Sequence, residues 1–370
     1  MKYMKTAFIL VLVLILIISF VSCTNKPILE NQTEENRGLT NQQTTENTTQ
    51  PVKEVWHWKK VSPESQNIDS DELFAVHSIY NTFPLLSAVI IKNDCIIDEY
   101  YKEGCDETSS FVLNSASKSI TSALIGIAID NGFIESVDVP ISQYFPQIKN
   151  LNDNWKKITI YHLLTHTSGI SSTDSNLWYE WRNSDNWLDY IFNLPIESEP
   201  GMAFNYSTGN THLLSSILEQ ATGMSMYEFG KEYLFGPMEI DSITIDKDPQ
   251  GISDGGNGIH MNIYDMAKFG RLFLNKGNWE GQQLISKKWI EDSTSVQYDR
   301  LSGTADYGYQ WWVRSFGDAD YDAFFAQGHA GQYIFVVPEI DLIVVFTSNY
   351  EGSTSIYWQL VESIVNICDE

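Results

Sequence analysis

The sequence predicts an α+β fold: an antiparallel sheet built from both ends of the chain and flanked by helices, plus a mainly helical inserted subdomain. Three observations predict it. Two apolar runs, 85–92 and 95–101, are separated only by Asn93-Asp94, a hairpin signal. From about 113 to 290 the apolar spacing is helical, with long loops. After 305 short strand-like runs return, and the chain ends in one more helical pattern.

The elements follow in order. Ser70-Asp71-Glu72 reads as a helix start, with Leu73, Val76, His77 and Tyr80 at helical spacing. Asn114 and Ser115 open a second helix. Its apolar face is Ile120, Ala123, Leu124, Ile127 and Ala128, and Asn131-Gly132 stops it. Residues 211–221 form another, with Leu213, Leu214, Ile217 and Leu218 inward and Gly223 beyond the end. Strands are expected at 307–314, 323–326, 332–337 and 342–347. Asp318, Gly328, Gly331, Pro338 and Asp341 punctuate them. A terminal helix over 353–368 turns Ile356, Leu360, Val361 and Ile364 inward.

Composition narrows the function. With 43% apolar residues, the 370-residue chain has material for a large core, which excludes a mostly disordered protein. Residues 56–370 are read as one domain containing the insertion at about 113–290. The net charge of −25 opposes contact with phosphate backbones, so nucleic acid is not an expected partner. Four cysteines are too few for a disulfide scaffold.

The N-terminus reads as an address. Lys2 and Lys5 precede an apolar run from Ala7 to Val21, and Ser22-Cys23 follows it. Residues 1–23 fit a lipoprotein-type signal peptide with lipidation at Cys23; an uncleaved signal anchor is the alternative. Both place the chain outside the cytoplasm at a membrane, lipid-anchored or secreted. Residues 24–55 are rich in Asn, Thr, Gln and Glu and read as a solvated tether. Cys95, Cys105 and Cys368 remain, an odd number, so at least one thiol is free. The stretch from Cys95 to Cys105, if extended, spans roughly 30 Å, too far for a bridge.

Asn114-Ser115-Ala116-Ser117-Lys118 contains a Ser-x-x-Lys. The offset puts Ser115 and Lys118 one helical turn apart on one face, with the serine near the positive end of the helix. A hydroxyl beside an amine that burial can neutralise is a candidate nucleophile. An N-cap serine and a surface lysine would give the same short motif. Tyr206 lies in a polar loop before a helix; near a cationic lysine its pKa would fall and it could accept a proton. Otherwise it is a packed tyrosine. Gly328-His329-Ala330-Gly331-Gln332 leads into an apolar strand and could present a backbone N–H to a ligand, or be an ordinary turn.

Together, in this order and at these separations, the three elements resemble the serine β-lactamase and penicillin-binding-protein superfamily. The resemblance is to its class C-like branch of esterases, D-amino-acid peptidases and 6-aminohexanoate-dimer hydrolases. It spans roughly 70–367 and includes Leu163-Leu164-Thr165-His166-Thr167-Ser168-Gly169 and Gly255-Gly256-Asn257-Gly258-Ile259-His260. It implies a β-lactamase-like fold, no cofactor or metal, and a small ester, amide or peptide substrate. It also implies roles. Ser115 is the acylated nucleophile, Lys118 its general base and Tyr206 the proton shuttle. The backbone N–H groups of Ser115 and Gln332 form the oxyanion hole. Thr208, His329 and Gly331 contact substrate.

Two departures shape the substrate. The asparagine of the family's Tyr-x-Asn motif is Thr208 here, which offers a hydroxyl in place of an amide. The lysine of Lys-Thr-Gly is His329, mostly neutral at pH 7. Losing a charge-assisted contact to a substrate carboxylate costs roughly 1.5–3 kcal/mol. The expectation is therefore ester or amide hydrolysis through an acyl-enzyme on less anionic substrates. A peptidoglycan D-Ala peptidase or β-lactamase is the alternative within the superfamily. A non-catalytic cell-envelope binding lipoprotein is the alternative outside it. His162 and His166 lie four apart, a zinc spacing if helical, but no third ligand is evident. His260 is read as structural. Trp178, Tyr179, Trp181, Trp187 and Tyr190 cluster in the insertion. They are either helix core or a wall over the nucleophile, with Trp178 and Trp181 as its substrate contacts.

Overall fold

Strands β1 (Lys59–Lys60), β2 (Leu85–Lys92) and β3 (Cys95–Tyr101) come from the front of the domain. Strands β4 (Asp306–Tyr307), β5 (Trp312–Phe316), β6 (Tyr321–Gly328), β7 (Gln332–Val337) and β8 (Leu342–Ser348) come from the back. They form one eight-stranded sheet in the order β1-β3-β2-β8-β7-β6-β5-β4. The two chain ends meet where β2 pairs antiparallel with β8, Val89 opposite Val345. A buried hydrogen bond of 2.6 Å between the hydroxyls of Ser87 and Thr347 lies along this seam. Only β1 departs from the antiparallel expectation; it pairs parallel to β3. The computed structural model describes residues 56–174, 176–299 and 305–369. The signal peptide, Cys23 and the whole of the tether lie outside them.

The pleat divides the core in two. Val89 and Ile91 face a cluster shared with helix α2 (Ser117–Asp130) and the helical region. Ala88 and Ile90 face the other side, closed by α1 (Ser70–Ile79) and α5 (Ser355–Cys368) through Leu73, Val76, Leu360, Val361 and Ile364. On the first side α4 (Ile263–Leu274) lies across β2, β7 and β8. Helix α2 is buried all round from Ser117 to Ala128, which makes it a central column rather than an amphipathic surface helix.

Several expectations shift. The predicted 307–314 strand is broken between β4 and β5. Gln310 takes a left-handed conformation (φ 65°) and turns inward. Its side chain donates to the carbonyls of Leu163 (3.2 Å) and Leu164 (2.8 Å) and accepts from Thr211 Oγ1 (2.7 Å). The predicted helix at 114 begins as a 3₁₀ turn, Asn114–Ala116, and becomes α-helical at Ser117. Helix α3 (Thr208–Thr222) starts three residues before the predicted 211. The mainly helical region also holds strand segments, Thr244–Ile245 and Ile259–Asn262, joined in a small sheet by Ser110–Val112. Cys95, Cys105 and Cys368 are all free thiols.

Two close approaches assemble the site. At the end of β6, a Cβ on Gly328 would lie 2.1 Å from the Leu113 carbonyl oxygen, so the sheet edge touches the turn that carries Ser115. A Cβ on Gly256 would lie 2.5 Å from Thr208 Cγ2, so the 254–258 loop reaches the first turn of α3. Both positions exclude any side chain.

Candidate active site

Ser115 sits in the 3₁₀ turn and Lys118 one turn on, inside α2. Lys118 is 1% exposed. Its Nζ lies 3.0 Å from Ser115 Oγ, 2.9 Å from Thr208 Oγ1 and 2.9 Å from the Gly256 carbonyl oxygen. Burial disfavours the ammonium form and lowers the Lys118 pKa to about 8. The nearby carboxylates of Asp174 and Asp254 oppose that fall, and Arg182 adds to it. The short Ser-x-x-Lys motif therefore becomes a serine hydroxyl against an amine that is neutral in a usable fraction near pH 7. A surface lysine would have neither the burial nor the three acceptors.

Ser115 Oγ also donates to Asn257 Oδ1 at 3.3 Å. The Tyr206 hydroxyl reaches Ser115 as well. The Tyr206 ring is held between His166 (centroids 4.5 Å apart) and Trp312 (5.9 Å, stacked). The expected fall in the Tyr206 pKa is reversed. Burial and the Asp174 charge push it up, and the Ser115 hydrogen bond only partly offsets them. Lys118 Nζ sits 5.1 Å over the ring centroid, facing the π cloud. Tyr206 is thus a phenol at neutral pH, equipped to donate a proton rather than to take one.

The other expected site residues separate. Thr208, expected to contact substrate, is fully buried: it accepts from Lys118 and donates to Asp174 Oδ1 at 2.5 Å. Gln332, expected to supply the second oxyanion donor, is buried at the start of β7. It is paired with Gly328, and its side chain donates to the Ser348 carbonyl at 2.6 Å. The backbone that meets the Ser115 turn is Gly328–His329, where Asn114 Nδ2 donates to the His329 carbonyl at 3.0 Å. The Ser115 backbone N–H remains at the turn. His329 projects, exposed, where the two halves of the cleft meet, and Gly331 lines one half.

One half of the cleft, about 330 Å³, is lined by Tyr206, Trp312, Tyr350, Glu351 and Tyr357. The other, about 630 Å³, is lined by Asp174, Asn176, Trp178, Tyr179 and Asn257. The aromatic cluster divides accordingly. Trp178 lines the cleft, and Tyr179, 79% exposed, stands at its rim. Trp181 is fully buried, with its indole N–H on the Trp187 carbonyl (3.3 Å), so the expected substrate contact is instead core. Trp181→Ala is expected to destabilise the fold by about 3–5 kcal/mol. Trp178→Ala is expected to lower the melting temperature less than Trp181→Ala does and to raise KM several-fold for long acyl esters only. Melting curves and an acyl-chain series check both.

His162 and His166 do different work. His162 Nδ1 accepts from the Thr159 backbone N–H (3.1 Å) at the start of the Ile160–Leu164 helix, while His166 packs on Tyr206. His260 pairs with Asp246 at 3.1 Å. Three residues in the site had no assigned role: Asp174, the Gly256 carbonyl and Asn257. The last two fall in the glycine-rich stretch that carried part of the resemblance. Asp174 stands in a polar run with no spacing to mark it.

A family model described as Beta-lactamase matches residues 81–357. The 6-aminohexanoate-dimer hydrolase of Paenarthrobacter ureafaciens is 23% identical over 300 residues, 74% of this chain and 75% of that protein. Among solved structures, the octameric penicillin-binding protein homologue from Pyrococcus abyssi superposes with a TM-score of 0.63. It is 21% identical, over 80% of this chain and 77% of that one. EstCE1, a hydrolase with promiscuous acyltransferase activity, gives 0.66 at 14% identity, over 81% and 99%. These two likenesses are of fold. The chain belongs to the Beta-lactamase family, and is a hydrolase of its esterase/amidase type.

Proposed function

We propose that this hydrolase works through an acyl-enzyme on Ser115, outside the cytoplasm and tethered by lipid at Cys23. The observation that carries the chemistry is the buried Lys118 amine 3.0 Å from an Oγ that opens onto a cleft. Neutral Lys118 takes the Ser115 proton as Oγ bonds to the substrate carbonyl carbon. The oxyanion is met by the Ser115 N–H and the Gly328–His329 edge. Tyr206 passes a proton to the leaving oxygen or nitrogen as its bond to carbon breaks and is reprotonated from Lys118. Water then gives a proton to Lys118 as it adds to the acyl carbon, the bond from that carbon to Ser115 Oγ breaks, and Oγ takes the proton back from Lys118, which releases the acid and restores the serine. The location rests on Lys2, Lys5, the apolar run and Cys23.

The leaving group lies on the Tyr206 side of the cleft. Among the described side chains lining that half, Glu351 is the one formally charged, and His329 stands at its edge. Among the described residues, no lysine or arginine lines it to receive a carboxylate. This favours neutral or cationic leaving groups over acyl-D-Ala and β-lactams, whose carboxylate rides on the leaving side. Kinetics on p-nitrophenyl butyrate and nitrocefin test it. The kcat/KM for nitrocefin is expected to be lower by about ten- to a hundredfold or more, the worth of a missing charge-assisted contact. His329→Lys should narrow the gap. Efficient nitrocefin turnover by the native chain would refute the preference and restore the β-lactamase reading.

A further inference from the structure

We propose that Asp174 is a positioning residue that makes Lys118 a base, by forcing the Thr208 hydroxyl to accept from the lysine and never donate to it. This rests on Lys118 being the base for Ser115. Asp174 Oδ1 takes the Thr208 hydroxyl hydrogen at 2.5 Å, and Oδ2 takes the Thr208 backbone N–H. An ionised carboxylate can only accept, so the Thr208 hydrogen is committed and its oxygen lone pairs face Lys118 Nζ, 2.9 Å away. The Gly256 carbonyl, also 2.9 Å from Nζ, can likewise only accept.

A neutral amine has two N–H bonds and one lone pair. Thr208 and Gly256 consume the two N–H bonds. The lone pair is left for the third neighbour, Ser115 Oγ at 3.0 Å, whose hydroxyl must turn from Asn257 Oδ1 to give up its proton. Without Asp174, the Thr208 hydroxyl is free to rotate and donate to that lone pair, which quenches the base. Thr208, held by Asp174 beneath the nucleophile, stands where the family's Tyr-x-Asn motif has its asparagine.

The rival explanation is that Asp174 merely caps α3, alongside Thr173, whose hydroxyl accepts from the Gly209 N–H at 2.9 Å. The two part in the pH profile. The charges acting on Lys118 are Asp174, Asp254 and Arg182, with the Tyr206 ring as the aromatic face. The probe is a fluorophosphonate, with the rate of Ser115 labelling followed from pH 6 to 10. For Asp174→Asn the midpoint of the rising limb is expected to fall by about one pH unit, because an opposing charge is gone. The high-pH plateau is expected to fall about 10- to 100-fold, the usual worth of a positioned base. Thr208→Val should lower the plateau as much, with its midpoint nearly unmoved. The double variant should fall no further than Thr208→Val, and Thr208→Ser should rescue.

Additive plateau losses, or a loss that tracks the melting temperature with the midpoint fixed, would leave Asp174 as a helix cap and overturn the proposal. So would an Asp174→Asn limb and plateau like the native ones. Failure of the underlying reading shows separately, as Lys118→Met labelling at the native rate.

Discussion

Replacing Ser115 by alanine is expected to lower kcat/KM on any turned-over ester by about 10⁴-fold or more, the scale on which nucleophile deletions act in serine hydrolases. The reason is geometric. Lys118, Tyr206 and Asn257 converge on one oxygen, and among the described residues no second hydroxyl is bonded to the lysine and open to the cleft: the other hydroxyl on Lys118 belongs to Thr208, which is buried. The variant should remain folded. Ser115 is only half-buried, and its side chain bonds within this small network. The measurement pairs turnover with mass spectrometry after fluorophosphonate treatment. The native chain should carry one adduct, mapped to Ser115, and the variant none. Retained turnover in the variant would place the nucleophile elsewhere. A folded native chain that neither labels nor turns over esters would instead favour a binding role for the cleft.

How much of this was legible beforehand depends on the range over which each feature is written. The hairpin at Leu85–Lys92 and Cys95–Tyr101 appears with its predicted bounds, because a two-residue break between apolar runs is a local signal. The break between β4 and β5 was not legible. The run from 307 to 314 looks continuous, and it is distant partners, the carbonyls of Leu163 and Leu164 and the Thr211 hydroxyl, that give Gln310 a reason to turn inward. Ser115 and Lys118 were visible because both sit on one helical turn. Thr208 and Trp181 went astray for a common reason. Each lies within a few residues of a motif, but depth below the surface is set by packing, and spacing along the chain does not encode it. Asp174 is the extreme case. It meets Thr208 across 34 residues of sequence, through two hydrogen bonds that no local pattern announces.

The lysine carries the second large effect, and its sign can be worked out. Lys118 titrates at about 8 in the folded protein, against 10.5 for an unburied lysine, because the ammonium is deprived of water. Only the neutral amine can accept the Ser115 proton. Activity and fluorophosphonate labelling should therefore rise with pH through a midpoint near 8 and level off above it. Lys118→Met should lower both by about 10³- to 10⁴-fold and abolish that limb, since a general base alone is worth roughly 10²- to 10⁴-fold. The same titration appears in stability. Between about 8 and 10.5 the unfolded chain holds a proton on this lysine that the folded chain has released, so unfolding binds a proton and the folded state gains stability as pH rises. Below 8 both forms are protonated and the cost of the buried cation is at its full value. The native chain should gain on Lys118→Met as pH is raised from 7 to 10, with chemical denaturation at each pH as the measurement. A stability difference that stays flat, together with a labelling rate that does not climb through pH 8, would mean that the amine is not the titrating base. The proton from Ser115 would then have to leave by another route, with the Tyr206 hydroxyl the next group in reach.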